Sequence, residues 1–215
     1  MFTPPMRGLA TAPPPEASVL LLIDHQPLQY LYSHDPKAVS ETVLELARAA
    51  RSLGVPTVLT NLAEEHNGPL LQPLQNVFGD RRPIDRPSVD GWDDRRVTDA
   101  VLASGRKNLV IAGLHTETSV CRTALRAVGE GLDVHVVTDA CGGVTAESHD
   151  GIVRHLARAG VIPVTWDQVG AAWLGERAQG AIPAAADSAV PRSDAAPSTS
   201  FAWARPLRTA PAVRL

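Results

Sequence analysis

The stretch Asn108 to Thr138, NLVIAGLHTETSVCRTALRAVGEGLDVHVVT, decides the fold. An apolar run from Asn108 to Ala112 breaks at Gly113, apolar residues at helical spacing follow from about Glu117 to Val128, and a second apolar run covers Asp133 to Thr138. Two short buried strands joined by a helix of this length pair in parallel through a right-handed crossover. Working outward, the alternation recurs. A helix is expected over Asp94 to Ala103 on one side, and on the other a helix over Ala146 to Ala159, a strand over Val161 to Thr165 and a helix over Gln168 to Leu174. Further toward the start, SVLLLI (Ser18 to Ile23) reads as a strand buried on both faces that stops at Asp24. Asp35 and Pro36 supply an N-cap and a proline at the first helical position, and Val39, Val43, Leu44, Leu46, Ala47 and Leu53 form an apolar face that ends at Gly54. A second strand is expected over Val55 to Thr60, a short helix over Leu70 to Val77 within the irregular Asn61 to Arg82, and a short third strand over Arg82 to Arg86. These elements predict a three-layer α/β/α domain, Rossmann-like, with a six-stranded, parallel, doubly wound sheet.

Composition sets the limits of that domain. The chain has 215 residues and 18 prolines, ten of them in Met1 to Ala17 and Ala178 to Leu215. Three parts are therefore expected: a Pro-rich extension over 1–17, a folded domain over 18–177 and a Pro/Ala/Ser-rich tail over 178–215. That tail ends with Phe201, Trp203, Pro206 and Leu207, and it is read as an arm able to dock.

A net charge of −3 and a pI near 6.1 argue against a nucleic-acid partner. No run of about 18 apolar residues is present to span a membrane. Met1 to Ala17 lacks the apolar core of a secretory signal, so a cytoplasmic location is expected. Cys121 and Cys141 are the only cysteines, too few for a disulfide framework or a zinc cluster. Only Lys37 and Lys107 are lysines, so chemistry that needs a cation at a site must turn to arginine.

In doubly wound folds the ligand sits beyond the carboxyl ends of the strands, where strand order reverses. The polar residues at those ends are Asp24-His25-Gln26, Asn61, Arg86, Gly113 to Ser119 and Asp139 to Gly143. None of these turns carries a Gly-rich phosphate loop, which argues against NAD or ATP, and no cofactor is expected.

Six segments in order carry a resemblance: LLIDHQ (Leu21 to Gln26), NGPLLQPLQ (Asn67 to Gln75), IDRPSVDGWDD (Ile84 to Asp94), VIAGLHTETSV (Val110 to Val120), VVTDACGG (Val136 to Gly143) and AGVIPVTW (Ala159 to Trp166). Over about Val19 to Trp173 the chain resembles the isochorismatase-like cysteine hydrolases, and within them the YcaC-like branch. The resemblance implies hydrolysis of small amides or related carbonyl compounds, a small-molecule substrate and a homo-oligomer. It implies that Asp24 is the acid/base, that Arg86 stands where the family more often has lysine, and that Ser119 stands where the family has its nucleophilic cysteine, since T-E-x-C-V reads here as Thr116-Glu117-Thr118-Ser119-Val120. It also implies a non-proline cis peptide at Leu114-His115, with the amides of His115 and Ser119 forming an oxyanion hole. Gln26, Asn61, Trp92 and Thr116 fall beside these positions as candidate substrate-binding residues.

The chemistry fits those residue types. A nucleophile at a helix N-terminus has free N–H groups and the positive end of the helix dipole beside it. A carboxylate takes and returns a proton, and a guanidinium, permanently charged, holds a carboxylate or an anionic group with two hydrogen bonds. Serine is far less nucleophilic than cysteine at neutral pH. Three readings of Ser119 follow: an engineered Cys→Ser change, a natural variant with slow hydrolysis or another chemistry such as vinyl-ether cleavage, or a binding protein without catalysis. Cys121, about 200° further round the helix than Ser119, reads as core, and Cys141 as a buried thiol in a tight turn. His66 with Glu64 and Glu65 is too sparse a set for a metal, and none is expected.

Overall fold

The computed structural model describes residues 12–79 and 81–175. Its strands are β1 (Ser18–Ile23), β2 (Thr57–Leu62), β3 (Ile84–Arg86), β4 (Asn108–Gly113), β5 (Asp133–Val137) and β6 (Ile162–Val164). They form one sheet in the order β3-β2-β1-β4-β5-β6, with every neighbouring pair parallel. Strand order therefore reverses between β1 and β4, and the sheet is parallel and doubly wound as expected. The helices are α1 (Pro27–Leu31), α2 (Pro36–Ser52), α3 (Glu64–Asn67), α4 (Gln72–Phe78), α5 (Arg95–Leu102), α6 (Cys121–Gly129), α7 (Ala146–Arg158) and α8 (Trp166–Leu174).

All six residues of β1 are buried, because helices cover both faces of the sheet. Leu20 and Leu22 pack on one side with Val43, Leu46, Leu74, Val169 and Trp173 from α2, α4 and α8. Val19, Leu21 and Ile23 pack on the other with Val97, Val101, Ala124, Ala127 and Leu156 from α5, α6 and α7. This two-sided burial is why the run reads as unbroken apolar sequence. Asp35 caps α2 by accepting from the Ala38 N–H at 3.3 Å, and Thr165 caps α8 through a reciprocal pair with Gln168.

The structure adjusts several boundaries. β2 starts at Thr57 instead of Val55, because Val55 N–H closes the end of α2 on Ala50 O and Pro56 has no N–H to donate to a ladder. The short helices α1 and α3 are not visible as periodic pattern, since one turn contains no repeat. The expected helix at Glu117 begins with a π-helical turn, Thr116–Val120, before α6 proper. Ala12 to Ala17, expected as free lead-in, packs on the domain: Ala12 is buried and Pro13 O accepts from Trp173 Nε1 at 2.9 Å. The arm with Phe201 and Trp203 lies outside the described residues. Among the described residues no helix is long and apolar enough to cross a membrane.

Where β1 and β4 run side by side, Gly113 faces Ile23. A Cβ on Gly113 would meet Ile23 Cβ at 2.6 Å and Ile23 O at 2.8 Å, closer than real side chains pack. Gly113→Ala is expected to lower the unfolding free energy by about 1–3 kcal/mol through overpacking. At Gly129, where an added Cβ meets nothing within 4 Å, alanine should be neutral or stabilise by about 0.4–1 kcal/mol. Urea denaturation of the two variants checks the contrast.

Candidate active site

The polar ends of β1, β3 and β4 meet at the reversal point. Asp24, directly after β1, adopts a left-handed backbone with φ of 57°. Its N–H donates to Thr60 O at 3.1 Å, tying it to the end of β2. Its carboxylate takes two kinds of partner. Arg86 Nη2, from the end of β3, donates to Asp24 Oδ2 at 2.6 Å, and Thr60 Oγ1 donates to Oδ1 at 3.4 Å. Ser119, from the π-helical turn after β4, lies close enough to this carboxyl to favour its charged form. Asp24 and Arg86 are each 1% exposed and Ser119 is 3% exposed.

Burial dominates the electrostatics. Removal from water pushes the Asp24 carboxyl up from 3.8 to about 6, against the opposing pull of the Arg86 charge, the nearby Ser119 and the hydrogen bonds from Arg86 and Thr60. Arg86 is held in turn by Ser88 O, which accepts from Nη1, while its Nε has no partner. Beside it Gly91 N–H donates to Thr123 Oγ1 at 3.0 Å, and this anchors the turn that carries Trp92.

The other sequence-derived positions divide clearly. The Thr116 N–H donates to Gly142 O at 3.0 Å. The peptide bond Leu114-His115 is trans, contrary to the expectation of a cis bond there. Leu114 continues the strand as a parallel bridge to Gly142, a pairing that extended trans backbone satisfies. Thr116 is fully buried with Oγ1 2.9 Å from His149 Nδ1, so it ties the turn to α7. Trp92 is buried in the core layer of α5 and α6 with its Nε1 unpartnered.

Gln26 and Asn61 face other groups. Gln26 clamps the segment after β2: Oε1 accepts from Leu62 N–H at 2.8 Å, and Nε2 donates to Gly68 O at 2.5 Å and Leu62 O at 3.3 Å. Asn61 lies on the opposite face of β2 from Thr60 and donates to Glu64 Oε2 at 2.9 Å. Cys121 and Cys141 are buried, and burial raises both thiols, Cys141 to about 12. His25 sits wholly inside with Nδ1 2.8 Å from Tyr30 Oη, and burial pushes it down to about 3, so it stays neutral. Sequence reasoning missed Thr60, Ser88, Tyr30 and His149. Thr60 was accessible in principle, because the parallel register sets it beside Ile23, immediately before Asp24.

Comparison with known proteins adds a family to this geometry. A sequence model described as the isochorismatase domain matches residues 18–168. The chain is 38% identical over 153 residues to a protein of Escherichia coli (strain K12) named "Probable hydrolase YcaC", an alignment covering 69% of this chain and 74% of the relative. The crystal structure of that Escherichia coli YcaC gene product, described as an octameric hydrolase of unknown specificity, superposes with a TM-score of 0.73 at 35% identity, covering 80% of this chain and 84% of the other. YcaC from Pseudomonas aeruginosa with hexane-2,5-diol and covalent acrylamide matches with a TM-score of 0.72 at 34% identity, covering 80% and 85%.

The raised Asp24 carboxyl has a consequence for stability. Between about pH 4 and 6 the folded chain holds a proton that the unfolded chain releases, so this group makes stability fall as pH rises through that window. Asp24→Asn, an uncharged near-isostere that leaves the buried Arg86 without a counter-charge at every pH, is expected to gain stability relative to the parent as pH rises from 4 to 7.5. Urea titrations of both proteins at the two pH values test this; an equal difference at both would show that the carboxylate is not burdened by burial.

Proposed function

We propose, since the chain belongs to the isochorismatase family of hydrolases, that its Asp24, Arg86 and Ser119 hydrolyse a small amide. The observation that carries this reading is the enclosed Asp24–Arg86 pair at 2.6 Å, with the nearby Ser119 favouring the charged form of the same carboxyl. A carboxyl near 6 changes protonation close to neutrality, which suits a group that must both accept and return a proton. The permanent charge of Arg86 beside Asp24 favours the carboxylate form, and its position is set by Ser88 O.

In the proposed sequence Asp24 accepts the Ser119 proton as Oγ attacks the amide carbon, and the oxygen of the carbonyl gathers charge. The His115 N–H at the entry to the π-helical turn is the candidate donor for that oxygen, with the Ser119 N–H as its proposed second. Collapse breaks the C–N bond as Asp24 returns the proton to the leaving amine, and water then releases the acyl group from Ser119 by the same route. Asp24 is a weak base for an alcohol, so the serine form is expected to be slow. The covalent acrylamide carried by the Pseudomonas aeruginosa relative, a small primary amide, supports a ligand of that size and class. The octamer of the Escherichia coli relative supports self-association of this chain as well.

Mass spectrometry of the protein and of Ser119→Cys, after incubation with a panel of small primary amides, tests the proposal. Turnover or an acyl adduct is expected to appear or to rise at least about tenfold with the thiol, because a thiolate is the stronger nucleophile. Neither variant reacting would leave a binding protein, and turnover by the serine form that the thiol does not improve would favour chemistry without a covalent intermediate. In the active form, kcat/KM should rise with pH through an apparent value near 6 as Asp24 ionises, and Asp24→Asn should abolish it.

A further inference from the structure

The turn that carries Ser119 is wound more widely than the helix it opens. Val120 N–H reaches His115 O at 3.4 Å and Cys121 N–H reaches Thr116 O, each bond spanning one residue more than in an α-helix. Tightening to the α spacing would rotate the residues after Thr116 about the helix axis, Ser119 included. The width of this turn therefore sets the angle at which residue 119 stands over the end of β1, and contacts outside the helix must hold it.

Two side chains at its start supply those contacts. Thr116 is fully buried, and its Oγ1 lies 2.9 Å from Nδ1 of His149 on α7. The next residue, Glu117, accepts the Val144 N–H at 2.8 Å. Gly143 makes room for both, since a Cβ there would meet Glu117 Oε1 at 2.6 Å and His149 Cβ at 2.9 Å. The Thr116 N–H donates to Gly142 O at 3.0 Å, so backbone and side chain of this residue are pinned on the same flank. Burial lowers the pKa of His149 and keeps the ring neutral at pH 7.5. A neutral imidazole has one donor and one acceptor nitrogen, so it pairs with the Thr116 hydroxyl in either tautomer.

We propose that His149 is a positioning residue: through the Thr116 hydroxyl it holds the turn at its wide spacing and so fixes the angle of residue 119 toward Asp24 and Arg86. It lies 30 residues beyond Ser119, on the far side of β5, and acts only through Thr116. Its bearing on catalysis rests on the hydrolase reading above; its hold on the turn does not.

Two measurements on the full chain carrying Ser119→Cys, at pH 7.5, test it. Hydrogen exchange of residues 116–121 reads the turn. The rate of acrylamide adduct formation reads the thiol at position 119: the terminal carbon bonds to sulfur, the neighbouring carbon takes a proton from water, and peptide mapping separates this thiol from Cys121 and Cys141. His149→Leu and Thr116→Val are each expected to speed exchange in the turn at least about tenfold and to slow the adduct by about tenfold or more. The double variant should be no worse than either single one, because both remove the same bond. His149→Asn, whose amide both donates and accepts, should restore most of both signals. His155→Leu, at an exposed position of the same helix, should change neither. The proposal is overturned if exchange in the turn is unchanged in both single variants, if it rises while the adduct still forms at the parent rate, if His149→Asn restores nothing, or if His155→Leu acts as His149→Leu does. Faster exchange in both single variants, with no adduct in any form, supports the hold on the turn and counts against the hydrolase reading.

Discussion

The contact between Arg86 and Asp24 organises this end of the molecule. Its two charges come from strands separated by β2, and both are withdrawn almost completely from water. Desolvating two charges is unfavourable, and a close pair offsets it only when the remaining hydrogen-bonding groups are also met. Here that need recruits Thr60 and Ser119 to the carboxylate and Ser88 O to the guanidinium. The ends of three strands and two loops are thereby positioned by one ion pair. The offset is incomplete, since the carboxyl still rests near 6, and this residual burden is what makes it responsive near neutral pH.

Around that pair the backbone is arranged by close approach. Gly113 lets β4 lie against Ile23, and the chain then turns through a π-helical segment that sets Ser119 over the end of β1. Thr116 fastens this turn to α7 through His149, and Glu117 fastens it to the next loop by accepting from the Val144 N–H at 2.8 Å. Gln26 performs the corresponding task on the other flank, where its amide joins the β1 end to Leu62 and Gly68. Residues beside a site are thus as often employed in holding its walls as in meeting a ligand.

Much of the fold was legible because parallel strands covered on both faces are written as continuous apolar runs, and long amphipathic helices repeat their pattern several times. The short helices α1 and α3 offered no such repetition. The true start of β2 depended on Pro56 and on the way Val55 closes α2, which are matters of hydrogen bonding and not of hydrophobic pattern. At the candidate site, Asp24, Arg86 and Ser119 were proposed from strand ends and the family resemblance, and the fold brings them together. Thr60 and Ser88 were not proposed, because their roles are defined by partners far away in the chain or by a backbone carbonyl, which carries no residue identity.

The sequence by itself determined the alternation of strands and longer helices, the strand ends at which the candidate site is expected and the scarcity of lysine that leaves arginine as the cation. These depend on side-chain type and spacing alone. Tertiary structure decided which face each strand-end residue serves, setting Asn61 with Glu64 and Thr60 with Asp24 although they are neighbours in sequence. It also decided that Leu114-His115 is trans and that burial pushes the Asp24 carboxyl up to about 6. The physical reason is that pairing register, solvent exclusion and the distance between charges arise only when remote segments are packed together, and the energies that govern this site depend on all three.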